Sequence, residues 1–349
     1  KTSVSNLMIN HLKKKFSHVN KIKLIRQNSN ILDIGSNDGT FLNFFKKPKS
    51  NLNLYGIDPS ASAFLSNYKK GINVIDNFFD EKLAKKYFIK NKIKFSLITS
   101  FAMFYDVEDP NSFCKSISKV LEKNGLWIVE FSYFPLLLKN LTYDQICHEH
   151  CTYYTLQTFK NIISRNNMKI IDFNINKING GSIEVICSQK VSKFKVNKKK
   201  IQNLLKEEEK INTFDYKIFN LRVNASRENL LDFLSEVNKN EIIGYGASTK
   251  GNVILNFCKI NNKQISYICD ANPSKKGKFT PGSEIPIITK EKMRKIKPKY
   301  LLVLIWSFKK EVLLQEKKFI FRGGKLIFPL PVFHVVDKYN YNESLNEAQ

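Results

Sequence analysis

Residues 147–151 read Cys-His-Glu-His-Cys, so imidazole, carboxylate and thiol groups stand within one short stretch. Two chemistries use such groups. One is metal binding, with Cys147, His148, His150 and Cys151 as zinc ligands. Four ligands crowded into five residues make a tetrahedral cage hard to build, and no metal is expected. The other is acid–base work, since an unperturbed imidazole with a pKa of about 6.5 is neutral and basic around pH 7. If the stretch is extended, His148 and His150 face one way and Glu149 the other. From the residues alone, a structural reading, with both histidines as hydrogen-bonded groups beneath a loop, stands beside the catalytic one.

Two glycine turns supply further chemistry. In NILDIGSNDGTFL (30–42) an apolar run enters Gly35 and a helix is expected from near Gly39, which brings backbone close to a ligand at a strand's carboxyl end. Asp58 ends the next apolar run, 23 residues beyond Gly35, where a carboxylate can accept hydrogen bonds from ribose hydroxyls. Asp33 is placed to hold an amino group. The candidate cofactor contacts are therefore Asp33, Gly35, Asn37, Gly39 and Asp58, with Ser100 at the end of FSLITS. The spacing does not separate S-adenosylmethionine from a dinucleotide, although the missing Gly-x-Gly-x-x-Gly pattern argues against NAD. The structural alternative is a plain strand-to-helix turn capped by Asp38. GYGASTKGN (244–252) repeats the arrangement and presents Gly244, Gly246, Ser248, Lys250 and Asn252 to an anion. A dinucleotide fingerprint begins at Gly244 and Gly246, but its third glycine comes late, at Gly251, and Asp270 is only a generic acid. Phe279 to Ile287 and the end of an apolar run at 304–308 would border the same pocket, with Trp306 or Phe308 stacking on a base.

The elements that must position these groups follow from hydrophobic patterning. ILDIG, LNLYGID, INVID, FSLITS and LWIVEF alternate with helical patterns, which argues a parallel, doubly wound sheet. Tyr133 to Tyr154 breaks this rhythm, and so long a polar and aromatic loop is usually functional. KIIDFNINKI and SIEVICSQ follow as strands joined through Gly180 and Gly181. A second series then runs through EIIGYGAS, ISYICD, YLLVLIW and KLIFPLP. The expected organisation is an N-terminal helical segment (1–29), a first α/β domain (30–190), a helical connector (191–238) and a second α/β domain (239–349).

Composition excludes several classes. The chain has 349 residues, 42% of them hydrophobic, enough for two cores and unlike a disordered sequence. A net charge of +26 suggests a polyanion partner, but the cations are nearly all lysine, with arginine only at 26, 165, 222, 227, 294 and 322. Base readers favour arginine forks, so no nucleic acid is expected. The six cysteines form no Cys-x-x-Cys pair, and no 18-residue apolar run or secretory leader is present. A cytoplasmic protein without a membrane partner is expected, as a monomer or homodimer.

Four segments in order, HEHCTYYTLQTF (148–159), GGSIEV (180–185), GYGASTKGN (244–252) and FTPGSEIPI (279–287), resemble the sugar C-methyltransferases, which methylate carbon 3 of nucleotide-linked 4-keto-deoxysugars. The resemblance runs from about residue 30 to 335. It implies an α/β fold, a Rossmann-like class I methyltransferase domain followed by a second Rossmann-like domain that binds the sugar nucleotide, with S-adenosylmethionine as cofactor. Family members begin with a cysteine-rich zinc domain that is not in the sequence shown, so no zinc is expected here.

The same resemblance makes His150 the candidate base, Glu149 its positioning or proton-handling partner, and His148 a further member of the catalytic set. Methylating carbon beside a carbonyl requires loss of a weakly acidic proton, and the enolate then attacks the methyl donor. Tyr143, Gly181, Gly244, Gly246, Ser248, Lys250, Asn252 and Trp306 are the candidate substrate contacts. Two positions depart from the family pattern. Cys147 stands where many members have tyrosine, and SFAMFYDVEDP (100–110) places Tyr105 and Asp106 where many have histidine. Tyr105 is the candidate to stabilise an oxyanion. The readings that compete with C-methylation are transfer to oxygen or nitrogen, and a non-catalytic protein that binds nucleotide-sugars.

Overall fold

In the computed structural model, which describes residues 2–22, 24–46 and 51–348, the chain forms two compact units. The first comprises Lys1–Pro135 and Cys151–Ile211, the second Leu136–His150 and Asn212–Gln349. The segment that carries His148, Glu149 and His150 thus counts with the second unit, although sequence order suggested the first. The expected connector is divided likewise. Its helix Lys198–Glu208 belongs to the first unit, and the long helix Thr213–Glu236 to the second.

The first unit holds seven strands: β1 (Asn30–Ile34), β2 (Asn53–Ile57), β3 (Ile72–Ile75), β4 (Phe95–Phe101), β5 (Leu121–Ser132), β6 (Met168–Asn176) and β7 (Ser182–Gln189). Their order is β3-β2-β1-β4-β5-β7-β6, and only β7 pairs antiparallel with its neighbours. Central strands of such a sheet are covered on both faces, which is why β4 reads as an unbroken apolar run with Phe95, Leu97, Ile98, Thr99 and Ser100 all buried. The strand order reverses between β1 and β4, and the crevice beyond their carboxyl ends is where folds of this type bind ligands.

The second unit holds β8 (Ile242–Tyr245), β9 (Ile268–Cys269), β10 (Ile287–Ile288), β11 (Tyr300–Val303), β12 (Lys325–Phe328) and β13 (His334–Val336), in the order β10-β9-β8-β11-β12-β13. All pairs are parallel except β12 with β13. Both units are therefore Rossmann-like, as expected. Three details differ. β10 and β13 were not anticipated, because two or three residues carry too little period to read. The run YLLVLIW stops being a strand at Val303, and Trp306–Phe308 turns as a short 3-10 helix.

Candidate active site

The first glycine turn is built around φ angles that few side chains allow. Gly35 and Gly39 lie at +75° and +72°, and a Cβ on Gly39 would stand 2.4 Å from the Tyr68 ring. Tyr68 donates its hydroxyl to the Asn37 carbonyl at 2.8 Å, locking ring and turn together. Asp58 accepts the Asn37 backbone N–H on one oxygen, and the Ser60 N–H and hydroxyl on the other, all within 2.8 Å. Asp38 is buried and accepts from the Thr40 hydroxyl and the Ser3 N–H, so it ties the N-terminal segment to the turn. Asp33 is 3% exposed and takes the Thr99 hydroxyl at 2.6 Å. Burial, opposed by that hydrogen bond and helped by the Asp58 charge, raises its carboxyl pKa to about 7.

A cavity of about 300 Å³ opens over this turn. Asp33, Gly35, Asn37 and Asp58 line it, as the sequence suggested, together with Ser36, Thr40, Phe41, Phe101, Ala102, Met103, Asp106 and Glu130. Thr2, Met8, His11 and Leu12 of the N-terminal segment complete the wall. Those last four were missed, and the one available signal was the pair His11 and Lys15, one helical turn apart in an otherwise amphipathic run. Ser100 does not reach the cavity; it is fully buried and accepts the Trp127 indole N–H at 3.1 Å. Its chain neighbours Phe101 to Met103 take that place, since the strand runs one residue farther than FSLITS implied. Tyr105 is buried, with its carbonyl accepting the N–H groups of Cys151 and Thr152. Gly181 sits before β7, where its carbonyl accepts the Tyr133 N–H.

In the second unit the turn after β8 repeats the device of the first. The Ala247 N–H donates to Asp270 at 2.8 Å, as that of Asn37 does to Asp58, so Asp270 fixes the loop and is more than a generic acid. Gly244 lies in β8, and Gly246 donates its N–H to the Cys269 carbonyl. Ser248 caps the helix Thr249–Phe257 by accepting the Gly251 N–H. Lys250 lies in that helix's first turn, and burial, partly offset by the Asp144 charge, lowers its pKa.

The segment 136–150 folds against this helix. Tyr143 is 3% exposed, packs in a tilted arrangement against Phe257 and reaches Cys258 with its hydroxyl, so it is a core residue of the unit. Asp144 accepts the Trp306 indole N–H at 2.8 Å, which holds that ring in place and buries it to 8% exposure. Stacking of Trp306 on a base is thereby disfavoured. The stretch 147–150 is a turn, closed by the His150 N–H on the Cys147 carbonyl at 3.2 Å, and not extended. His148 and Glu149 are exposed at its apex while His150 is half-buried. Burial, then the Lys250 charge, lower the His150 pKa to about 4. The buried acceptors Asp144 Oδ1 and Asn252 Oδ1 have no hydrogen-bond partner among the described residues. No group of three or more His, Cys, Asp or Glu side chains among those residues is arranged to hold a metal.

Residues 9–172 match a methyltransferase domain family, and residues 177–331 match the family described as the C-methyltransferase C-terminal domain. The C-methyltransferase NovU of Streptomyces niveus is 26% identical over 310 residues, 88% of this chain and 73% of that protein. The chain is an S-adenosylmethionine-dependent methyltransferase, and its C-terminal part matches the C-methyltransferase C-terminal domain. Among solved structures, this methyltransferase is similar to an S-adenosylmethionine-dependent methyltransferase from Clostridium acetobutylicum (14% identity, 50% of this chain and 89% of that one, TM-score 0.37). It is likewise similar to the PH0226 protein of Pyrococcus horikoshii (15%, 53% and 92%, TM-score 0.41).

The methyltransferase depends on S-adenosylmethionine, and the first unit's residues fit that group. A Cβ on Gly35 would meet Met103 at 2.8 Å, which shows how closely the turn and the β4 end approach at the cavity. The ionisable lining residues other than His11 are Asp33, Asp58, Asp106 and Glu130, all acidic, which suits a ligand carrying a sulfonium and an ammonium. No helix among the described residues is long and apolar enough to cross a membrane.

Proposed function

We propose that the enzyme methylates the carbon beside a ketone in a nucleotide-linked deoxysugar, with His150 as the base that removes the carbon's proton. S-adenosylmethionine supplies the electrophilic methyl group. In the first unit, Asp58 holds the donor's ribose and Asp33 its amino group. In the second, Gly244, Gly246, Ser248 and Lys250 receive the diphosphate, while Asp144 Oδ1 and Asn252 Oδ1 remain free to accept sugar hydroxyls.

The observation that carries this reading is the state of His150. An imidazole whose pKa is lowered to about 4 by burial and by Lys250 is uncharged throughout the physiological range and can take a proton. An anionic substrate beside Lys250 offsets that charge, so substrate binding raises the basicity of His150 at the moment it is needed.

Replacing His150 by Gln tests the assignment. Wild-type enzyme with S-adenosylhomocysteine and a nucleotide-linked 4-keto-deoxysugar is expected to exchange the proton on the carbon beside the ketone for solvent deuterium. His150→Gln should lose exchange and turnover while keeping its affinity for S-adenosylhomocysteine; full exchange in the variant would remove His150 as base. At saturating cofactor, the acidic limb of the wild-type kcat/KM profile should fall at about pH 4, below the usual imidazole value, because kcat/KM reports the free enzyme.

A further inference from the structure

The helix Thr213–Glu236 of the second unit carries two apolar faces. Val223, Leu230 and Leu234 are buried in that unit's core, and Ser226 lies buried on the same side, donating to the Pro329 carbonyl. A helix turns by about 100° per residue, so Phe214, Ile218, Leu221 and Ala225 fall within about 60° of one another on the opposite side. Phe214 and Leu221 are each 65% exposed, Ile218 is 38% exposed, and Ala225 is exposed as well. A helix that covers one core ordinarily turns polar residues outward. This one does so only farther along, where the same stripe continues as Glu228, Asn229 and Asp232.

The outward patch has the spacing of a helix seam. From Phe214 to Ala225 the steps are four, three and four residues, the alternation of core positions in paired helices. Asp215 and Arg222 flank the stripe on one side, seven residues apart, and Lys217 and Asn224 flank it on the other. In a parallel pair of these helices, Lys217 would face Arg222 of the other copy, a like-charge contact. In an antiparallel pair, Asp215 of each copy faces Arg222 of the other, and Lys217 faces neutral Asn224. The stripe is therefore complementary to itself in one orientation, with flanking charges setting that orientation as they do in coiled coils.

We propose that this stripe is a homodimer seam, in which the first half of the helix pairs antiparallel with the same segment of a second copy of the chain. The contact is isologous, with its twofold axis between Ile218 and Leu221. Burial of Phe214, Ile218 and Leu221 supplies the affinity, whereas the exposed ion pairs contribute little beyond orientation. Interfaces below about 1,200 Å² are weak and transient, and a seam of four side chains per copy belongs with them, so a micromolar dissociation constant is expected. The net charge of +26 on each copy opposes association, and at physiological salt it is screened beyond about 8 Å. None of the seam residues belongs to the cofactor or substrate sets, so the association is independent of the acceptor assigned above.

Sedimentation velocity of the full chain at physiological salt, from about 1 to about 100 µM, should show monomer giving way to dimer. Leu221→Glu sets two carboxylates into the seam and should raise the dissociation constant at least about tenfold, with an unchanged circular dichroism spectrum. Phe214→Lys serves the same purpose if the glutamate variant does not fold. Under mild oxidation Ile218→Cys, beside the axis, should cross-link two copies more than wild type does, whereas Phe214→Cys, whose two copies stand at opposite ends of the seam, should not. Equal cross-linking of both variants means a parallel pair and overturns the arrangement. A wild type that stays monomeric at the highest concentration overturns the proposal, whatever else covers the stripe, and so does a dimer that persists undiminished in the folded variant.

Discussion

At the scale of single residues, the cavity that we propose as the cofactor site is lined by Asp33, a carboxyl group with a pKa raised to about 7. Below that value Asp33 is protonated and neutral; above it the carboxylate attracts the ammonium. Affinity for S-adenosylhomocysteine should therefore rise with pH through 7 and then level, with protons released on binding, and Asp33→Asn should flatten the curve. In the unliganded protein the sign is opposite for stability. A carboxyl whose folded pKa exceeds its unfolded value favours the folded state at low pH, and that contribution is lost as pH rises through about 7. Gly39→Ala offers a harsher test of the turn. A left-handed alanine costs about 1–2 kcal/mol, and its Cβ also drives into the Tyr68 ring. Urea unfolding should show at least that loss, with weakened cofactor binding.

At the scale of elements, the N-terminal helix is fastened by buried charge. Lys15 bridges Glu130 and Glu184 at 2.7 and 2.5 Å, and neither carboxylate is more than 3% exposed. Removing one partner of a buried ion pair leaves the others uncompensated and costs about 3–5 kcal/mol. Lys15→Met is therefore expected to lower the unfolding free energy from urea titration by that order and to loosen cofactor binding. For Glu130 the folded pKa of about 2 lies below the unfolded value, so its contribution is present above about 4.5 and is lost as pH falls toward 2.

Much of this architecture was legible in the sequence. Continuous apolar runs such as FSLITS and alternating helices fix both Rossmann-like units, and the ILDIG turn together with the end of β2 places Asp33, Gly35, Asn37 and Asp58 on one cavity. His11 and Glu130 were not legible, because they are 119 residues apart and only the β5 register brings them together. The turn at 147–150 was likewise hidden, since its hydrogen bond from His150 to Cys147 leaves no compositional mark. Ser100 failed by one residue, because a strand end cannot be read that finely.

At the scale of the whole molecule, the second unit is discontinuous in sequence. Residues 136–150 leave the first unit's chain, contribute Tyr143 and Asp144 to the second, and return at Cys151. Arg222 holds this excursion by donating to the Leu138 and Lys139 carbonyls. Asp144→Ala should leave the buried Trp306 N–H unpaired, at a cost of about 1–3 kcal/mol, visible as altered Trp306 fluorescence and a lower urea midpoint. The most direct measurement of the central claim is of the atom that receives the methyl group. With S-adenosylmethionine isotopically labelled in its methyl carbon and a nucleotide-linked 4-keto-deoxysugar as acceptor, NMR should find the label bonded to a ring carbon beside the ketone; a label on oxygen or nitrogen would contradict the claim.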